Sequence, residues 1–214
     1  MISTNADISI CNICYAKETC SKELITENTV LEIPGNQIFK MLLEDERVGG
    51  YLCNKLLKKE LIKNYLNEHV HYCEDFVFIA QYCFNVRKAV FDSKKNYNYF
   101  LNDNNATSNF SYNDRIFSLI QAYLFIEEIY IKNSPNEVIK VQENLLKIAL
   151  NLKARYKISK VENVEQLKCI NDIIKKYFKV IVKSKIRIVD KINILFTMLM
   201  PKTMFRLKQL ILRR

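Results

Sequence analysis

The chain has 214 residues, of which 49% are hydrophobic and 26% charged, enough apolar side chain to bury a sizeable core and to exclude global disorder. Three Gly and three Pro are too few for an all-β architecture built on many tight turns. The net charge of +10 sits in the second half: residues 1–110 hold 12 basic and 14 acidic side chains, residues 111–214 hold 21 and 9. The first half therefore reads as an ordinary soluble domain, and the second carries a basic field that favours an anionic partner, a lipid surface or a nucleic acid.

Seven Cys occur, at 11, 14, 20, 53, 73, 83 and 169. No basic start and long apolar core mark the first twenty residues as a secretory signal, so reduced thiols in a cytoplasmic protein are expected. Cys11-x-x-Cys14 with Cys20 has the spacing of half a zinc site, but a second ligand pair is missing, because His69 and His71 fall among residues that precede a helix. Free buried thiols are the expectation, and no metal ligand is assigned.

In chain order, Asp7–Tyr15 is a short apolar run that predicts a strand, and Thr29–Ile33 a second extended piece. Pro34-Gly35-Asn36 breaks the chain before a short helix over Gln37–Asp45, with Ile38, Met41 and Leu42 on one face. Gly49-Gly50 permits a tight backbone before Tyr51–Leu57, and Lys58–Asn64 reads as a helical turn or two. Glu74–Asn85 is the clearest helix of this half. Phe76, Ile79, Ala80, Cys83 and Phe84 follow the spacing of one buried face, and Glu74 and Asp75 occupy the first turn, where the helix dipole favours negative charge. Arg87–Phe91 predicts a strand. Tyr97–Phe100 alternates into the polar loop Asn102–Asn105. Helices follow over Asp114–Lys132, from Ser134-Pro135 to about Tyr156, over Val164 to about Val182, and over Ile186–Arg214 with an interruption at Pro201.

Three of these features occur in a telling order. Asn54-Lys55-Leu56 is followed by the acidic pair Glu74-Asp75 with Phe78, and then by Tyr97-x-Tyr99 and Ala106-Thr107-Ser108. Over roughly Met1–Phe125 this order resembles the acceptor-side half of family 2 glycosyltransferases, the GT-A-fold enzymes that build bacterial surface polysaccharides. The resemblance implies an inverting sugar transfer from a nucleotide donor to a glycan or lipid-linked acceptor. Asp75 is then the catalytic base, with Glu74 positioning it or the acceptor. Asn54 and Lys55 would be substrate-binding, the lysine through its charge near the donor phosphates or the acceptor, and Tyr97 and Tyr99 would line the sugar pocket. Read without the resemblance, the two carboxylates merely satisfy a helix N-terminus, Lys55 is a solvated lysine of the KLLKKE run, and Tyr97 and Tyr99 simply pack under the loop, packing being the expectation for one of them.

Departures from the family pattern are plain. Cys53 stands where an aromatic usually precedes Asn-Lys, Cys73 where a Gly usually precedes Glu-Asp, and Phe100 where a basic residue often follows the second Tyr. No Asp-x-Asp and no Gly-rich phosphate loop occur in the chain. The complete enzyme would need nucleotide sugar and Mn²⁺ or Mg²⁺, for which this chain shows no site, so a truncated or split transferase with a separately encoded N-terminal donor half is expected.

Residues 152–214 carry 17 basic and 4 acidic side chains. Ile192–Met200 is a strongly apolar run of nine residues, and a membrane span needs about twenty. Beyond Pro201, apolar and basic residues interleave as in an amphipathic helix on an anionic leaflet. The fold class expected is α/β: a partial GT-A, Rossmann-like sheet with flanking helices over 1–110, then a mainly α-helical extension over 111–214 with a basic amphipathic tail. The expected location is the cytoplasm, at the inner face of the plasma membrane. A non-catalytic remnant or membrane-surface interaction protein is the competing reading. Nucleic-acid binding is disfavoured, because no recognition module accompanies the charge.

Overall fold

The computed structural model describes residues 3–16, 29–66, 68–100, 112–159, 162–184 and 188–199. The fold is α/β. Four strands, β1 (Ile8–Ala16), β2 (Val30–Pro34), β3 (Lys55–Leu57) and β4 (Lys88–Phe100), form a mixed open sheet in the order β2-β4-β1-β3. The central pair β1 and β4 is parallel, and both outer strands run antiparallel to their neighbours. Helices α1 (Gly35–Glu44) and α2 (Glu74–Cys83) belong to the sheet half, and α2 supplies the crossover into β4 that a parallel pair requires. Then follow α3 (Asp114–Asn133), α4 (Val138–Ile158), α5 (Val164–Lys183) and α6 (Ile188–Leu199).

Several boundaries differ from the sequence expectation. Pro34-Gly35 does not separate strand from helix: β2 runs straight into α1. This is possible because Gly35 has no side chain and its N–H reaches the Arg87 carbonyl at 2.9 Å. A Cβ there would lie 2.1 Å from the Val86 carbonyl oxygen. The two extended pieces expected at Arg87–Phe91 and Tyr97–Phe100 are one strand, because β1 pairs along both. Lys58–Asn64 yields only a single 3-10 turn, Lys59–Leu61. Phe84, expected on the buried face of α2, lies past its last turn and is exposed. The loop 102–105, the run 106–108 and the tail beyond Pro201 lie outside the described residues. Cys14 is disulfide-bonded, a correction to the expectation of free thiols; cysteine spacing alone did not disclose the bond. Cys11, Cys53, Cys73, Cys83 and Cys169 are free.

Two hydrophobic clusters form the interior. The first joins Ile8, Ile10 and Phe91 of the central strands to α1, α2 and part of α3. The second joins α3, α4, α5 and Ile194 of α6. Helix α3 contributes to both: Ala122, Ile126 and Tyr130 face the sheet half, and Ile116 and Ile120 face the helices. Its attachment to the sheet half is specific. Tyr130 donates to the Phe39 carbonyl at 2.7 Å, and its ring meets Phe39 edge-on. Within the helical half the buried Glu127 accepts from Tyr177 at 2.5 Å and from Gln142 at 2.7 Å, and the buried Glu143 pairs with Lys140 and Lys147. Both acids are buried with hydrogen-bonding partners, as interior charge requires.

The amino end of the parallel pair is closed by Asp7, which is 2% exposed. Its carboxylate accepts from Lys58 Nζ at 2.9 Å and from the Arg87 N–H at 2.9 Å. Its backbone carbonyl accepts from Tyr82 of α2 at 2.7 Å, and its N–H donates to the Lys88 carbonyl at 2.8 Å. Burial alone would raise the carboxyl pKa, but the Lys58 and Arg87 bonds outweigh it and hold the pKa below the usual value.

Asp7→Ala is expected to lower the unfolding free energy by roughly 3 kcal/mol in urea titrations, because it strands Lys58 and the Arg87 N–H. The folded pKa is depressed, so this stabilisation is complete above the unfolded value of 3.8 and fades as pH falls through the folded one. The difference between wild type and variant should therefore be flat near neutrality and shrink only in strong acid. Gly35→Ala, which forces a carbonyl aside, should cost more than about 2 kcal/mol in the same assay.

Candidate functional site

The residues singled out in the sequence converge, with one exception, on the far side of the sheet from Asp7. β3 runs antiparallel to β1 with Lys55 opposite Ile10, so the chain just before Lys55 lies beyond Ile10 in the direction of β1. There the Cys11 N–H donates to the Asn54 carbonyl at 2.9 Å. Helix α2 runs back toward the start of β4, so its first turn, with Glu74 and Asp75, also lies toward the carboxyl ends of the parallel strands. That is where open α/β sheets hold their ligands. Between Cys11 and Ile13 the β1–β4 register shifts twice. Such irregularities bend a strand and re-aim its side chains near functional sites.

Asp75 and the loop 49–54 are tied together: Leu52 N–H donates to Asp75 Oδ2 at 3.1 Å. The contact is close because Gly50 presses its backbone on α2. A Cβ at Gly50 would lie 2.5 Å from the Phe76 side chain. Among the described residues Asp75 Oδ1 has no hydrogen-bond donor, so one lone-pair edge of a partly buried carboxylate is open. Glu74 is likewise partly buried.

Asn54 and Lys55 do something other than present polar groups to a ligand. Asn54 is 2% exposed. Its amide donates to the carbonyls of Cys11 (2.8 Å) and Arg47 (3.1 Å), and its Oδ1 accepts from Lys55 Nζ at 2.8 Å. The Lys55 ammonium also donates to the Val48 and Tyr51 carbonyls, both at 2.6 Å. An ammonium has three protons, and all three are engaged within the loop. The pair is thus the internal frame of the turn 47–54. Lys55 is neither a solvated lysine nor a group with a donor to spare. Burial pushes its pKa down to about 8.

The tyrosines divide. Tyr97 pairs with Ile13 and Tyr99 with Tyr15 on the extended end of β4. Tyr99 is half-buried and near enough to Tyr51 to bear on its phenol, whereas Tyr97 is exposed and nothing in the structure ties it to Asp75. Tyr51 itself was not singled out from sequence. It is exposed, immediately precedes the Leu52 N–H that holds Asp75, and has Cys53, Cys73, Tyr99 and Tyr123 around it. Burial, then Glu46 and its other neighbours, raises its pKa. Tyr123 of α3 closes the floor, edge-on to Phe76 at 6.0 Å between centroids. The one sequence signal for Tyr51 is an aromatic directly after Gly49-Gly50, where a tight turn displays a side chain.

Cys73 holds an unusual backbone position. It stands just before α2 at φ +60°, a left-handed conformation that glycine adopts without strain and that costs another residue roughly 1–2 kcal/mol. A glycine is therefore what this backbone favours. The segment leading into Cys73 is held by α3, whose Ser118 hydroxyl accepts from the His71 N–H at 3.0 Å. Among the described residues no group of three or more His, Cys, Asp or Glu side chains is arranged to hold a metal ion.

No protein-family model matches this chain, and no curated protein matches it.

The Lys55 Cε resonance is expected to titrate with a midpoint near 8 in carbon-detected NMR. Its unfolded value is 10.5, so the unfolded chain binds more protons between these limits. The contribution of Lys55 to stability should accordingly rise, not fall, as pH climbs through that window, and Lys55→Met should abolish the rise. Asn54→Leu keeps the branching of the side chain but removes three buried bonds, and should lower stability by about 3 kcal/mol.

Proposed function

We propose that this chain is the acceptor-side part of an inverting, family 2-like glycosyltransferase of GT-A type, with Asp75 as its base. The observation that carries the reading is the convergence of motifs far apart in sequence. The Asn54-Lys55 pair shapes a loop, that loop holds Asp75 through the Leu52 N–H, and the same loop carries Tyr51, which has Tyr99 as a neighbour.

In the proposed reaction an acceptor hydroxyl sits against Asp75 Oδ1. Its oxygen forms a bond to the anomeric carbon of the donor sugar while the bond to the nucleoside diphosphate breaks on the opposite face. The hydroxyl proton passes to Asp75. Leu52 N–H fixes the carboxylate orientation. The exposed Tyr51 ring offers an apolar face with a polar rim, suited to a sugar. Asn54 and Lys55 act as positioning residues. A donor-binding half would hold the nucleotide sugar and its divalent metal, and would continue the open sheet past the edge strand β3, beside the site. The location this implies is the cytoplasmic face of a membrane that carries the acceptor.

Asp75→Asn keeps an oxygen for Leu52 N–H but cannot take a proton. In cells that make this chain it is expected to reduce incorporation of labelled sugar from nucleotide donors into lipid-linked glycan by about 10²–10⁴-fold. The purified variant should unfold at the wild-type temperature. Wild-type incorporation in the variant would remove Asp75 from the mechanism. No incorporation from any nucleotide sugar with the wild type would sink the transferase reading itself.

A further inference from the structure

The outer side of α6 is unlike the rest of the surface. The helix buries Ile194 and part of Met198 in the second core. Ile188, Ile192, Leu195, Phe196 and Leu199 are between 43% and 80% exposed. Their spacing of four, three, one and three residues places them on one stripe. Single exposed apolar residues are ordinary, but a contiguous stripe of them marks an interaction surface.

The surroundings of the stripe are cationic. Lys191 Nζ donates to the carbonyls of Val182 at 2.8 Å and Ser184 at 2.7 Å, closing the C-terminus of α5 with a charge its dipole favours. That clamp sets the root of the stripe against the last turn of α5, where Lys179 and Lys183 are exposed beside exposed Val180 and Val182. Farther back, where α4 packs along α5, cations of the two helices crowd one another: burial first, and then the charges of Lys157 on α4 and Lys175 on α5, hold Lys153 of α4 below the usual lysine pKa. The ion pairs of the described residues leave Lys179 and Lys183 without an acidic partner.

We propose that the exposed stripe of α6, with Lys179 and Lys183 at its root, lies in the plane of an anionic lipid leaflet. A nucleic acid would match the lysines but leave the apolar stripe in water. A second copy of the chain paired through this face would set lysine against lysine. A leaflet takes both parts at once, apolar side chains into the acyl boundary and lysines onto the headgroups. At 12 residues the helix is roughly 18 Å long, too short to cross a hydrocarbon core of about 30 Å, and no described helix is long and apolar enough to do so. The inference needs none of the residues beyond Pro201. It also stands apart from the transferase reading, because lipid binding is measured without donor or acceptor.

The test is co-sedimentation of the full chain with vesicles of phosphatidylglycerol and phosphatidylcholine in equal parts, against phosphatidylcholine alone. The wild type should favour the anionic vesicles and lose binding as salt is raised. Ile192→Ser with Leu195→Ser should weaken partition by about tenfold or more with an unchanged circular dichroism spectrum, as expected for exposed positions. Lys179→Glu with Lys183→Glu should weaken it on anionic vesicles alone. The chain has no Trp, so Phe196→Trp is a lone reporter whose emission should move to shorter wavelength on binding. Undiminished binding by the Ile192/Leu195 variant, or unmoved Phe196→Trp emission on bound vesicles, would overturn the proposal by placing the contact elsewhere. A wild-type dimer that this variant disperses, with no vesicle binding by either, would overturn it in favour of a second copy.

Discussion

The buried carboxylate of Asp7 is the constraint on which the sheet half depends. One residue joins the start of β1 to the end of β3, the body of α2 and the start of β4. A parallel pair has no hairpin to set its register, so a polar tie at one end is an efficient way to fix it. A buried acid tolerates this position only because a cation and backbone N–H groups meet it there. With the amino ends locked, the carboxyl ends are left for irregular structure. The register shifts of β1, the turn at Gly49-Gly50 and the first turn of α2 all gather there.

The same economy shapes the candidate site. Its most buried polar residues, Asn54 and Lys55, point inward and satisfy the turn that surrounds them. A lysine desolvated this way loses part of its preference for the charged form, and the three oxygens around it recover part of that loss. Left over around the turn are the second oxygen of the partly buried Asp75, the partly buried Glu74 and the exposed Tyr51.

Helix α3 makes the two halves one structure. Its faces enter both cores, its Tyr130 reaches α1, and its Ser118 holds the strand of chain that leads into the strained Cys73. The helical half is therefore more than an appendage to the sheet: it supplies Tyr123 to the floor of the site and carries the cationic surface on the outside. Among the described residues, buried acids in its interior and exposed lysines on its exterior divide charge by depth. Interior charge must be matched, and surface charge is free to seek an anion.

The elements with strong local periodicity were legible in the residues alone. Helices α2 to α5 follow from apolar spacing, and β1 from a short apolar run, because burial of one face imposes its period on the sequence. The acidic pair before Phe76 and the Asn-Lys pair were visible as residue types in an order. Their relation was not. That Leu52 binds Asp75, that Lys55 turns inward, and that Tyr51 joins Tyr99 depend on where β3 pairs with β1, and such pairings between distant segments leave no periodic mark. The same reason hid the union of two extended pieces into β4 and the straight passage from Pro34 to Gly35, since each is decided by a neighbour far away in the chain. The sequence by itself determined which segments are helical and which side chains are available for chemistry. Only the tertiary structure decided which of those side chains support the site and which face it, because burial and hydrogen-bond partners arise from contacts between segments distant in the chain.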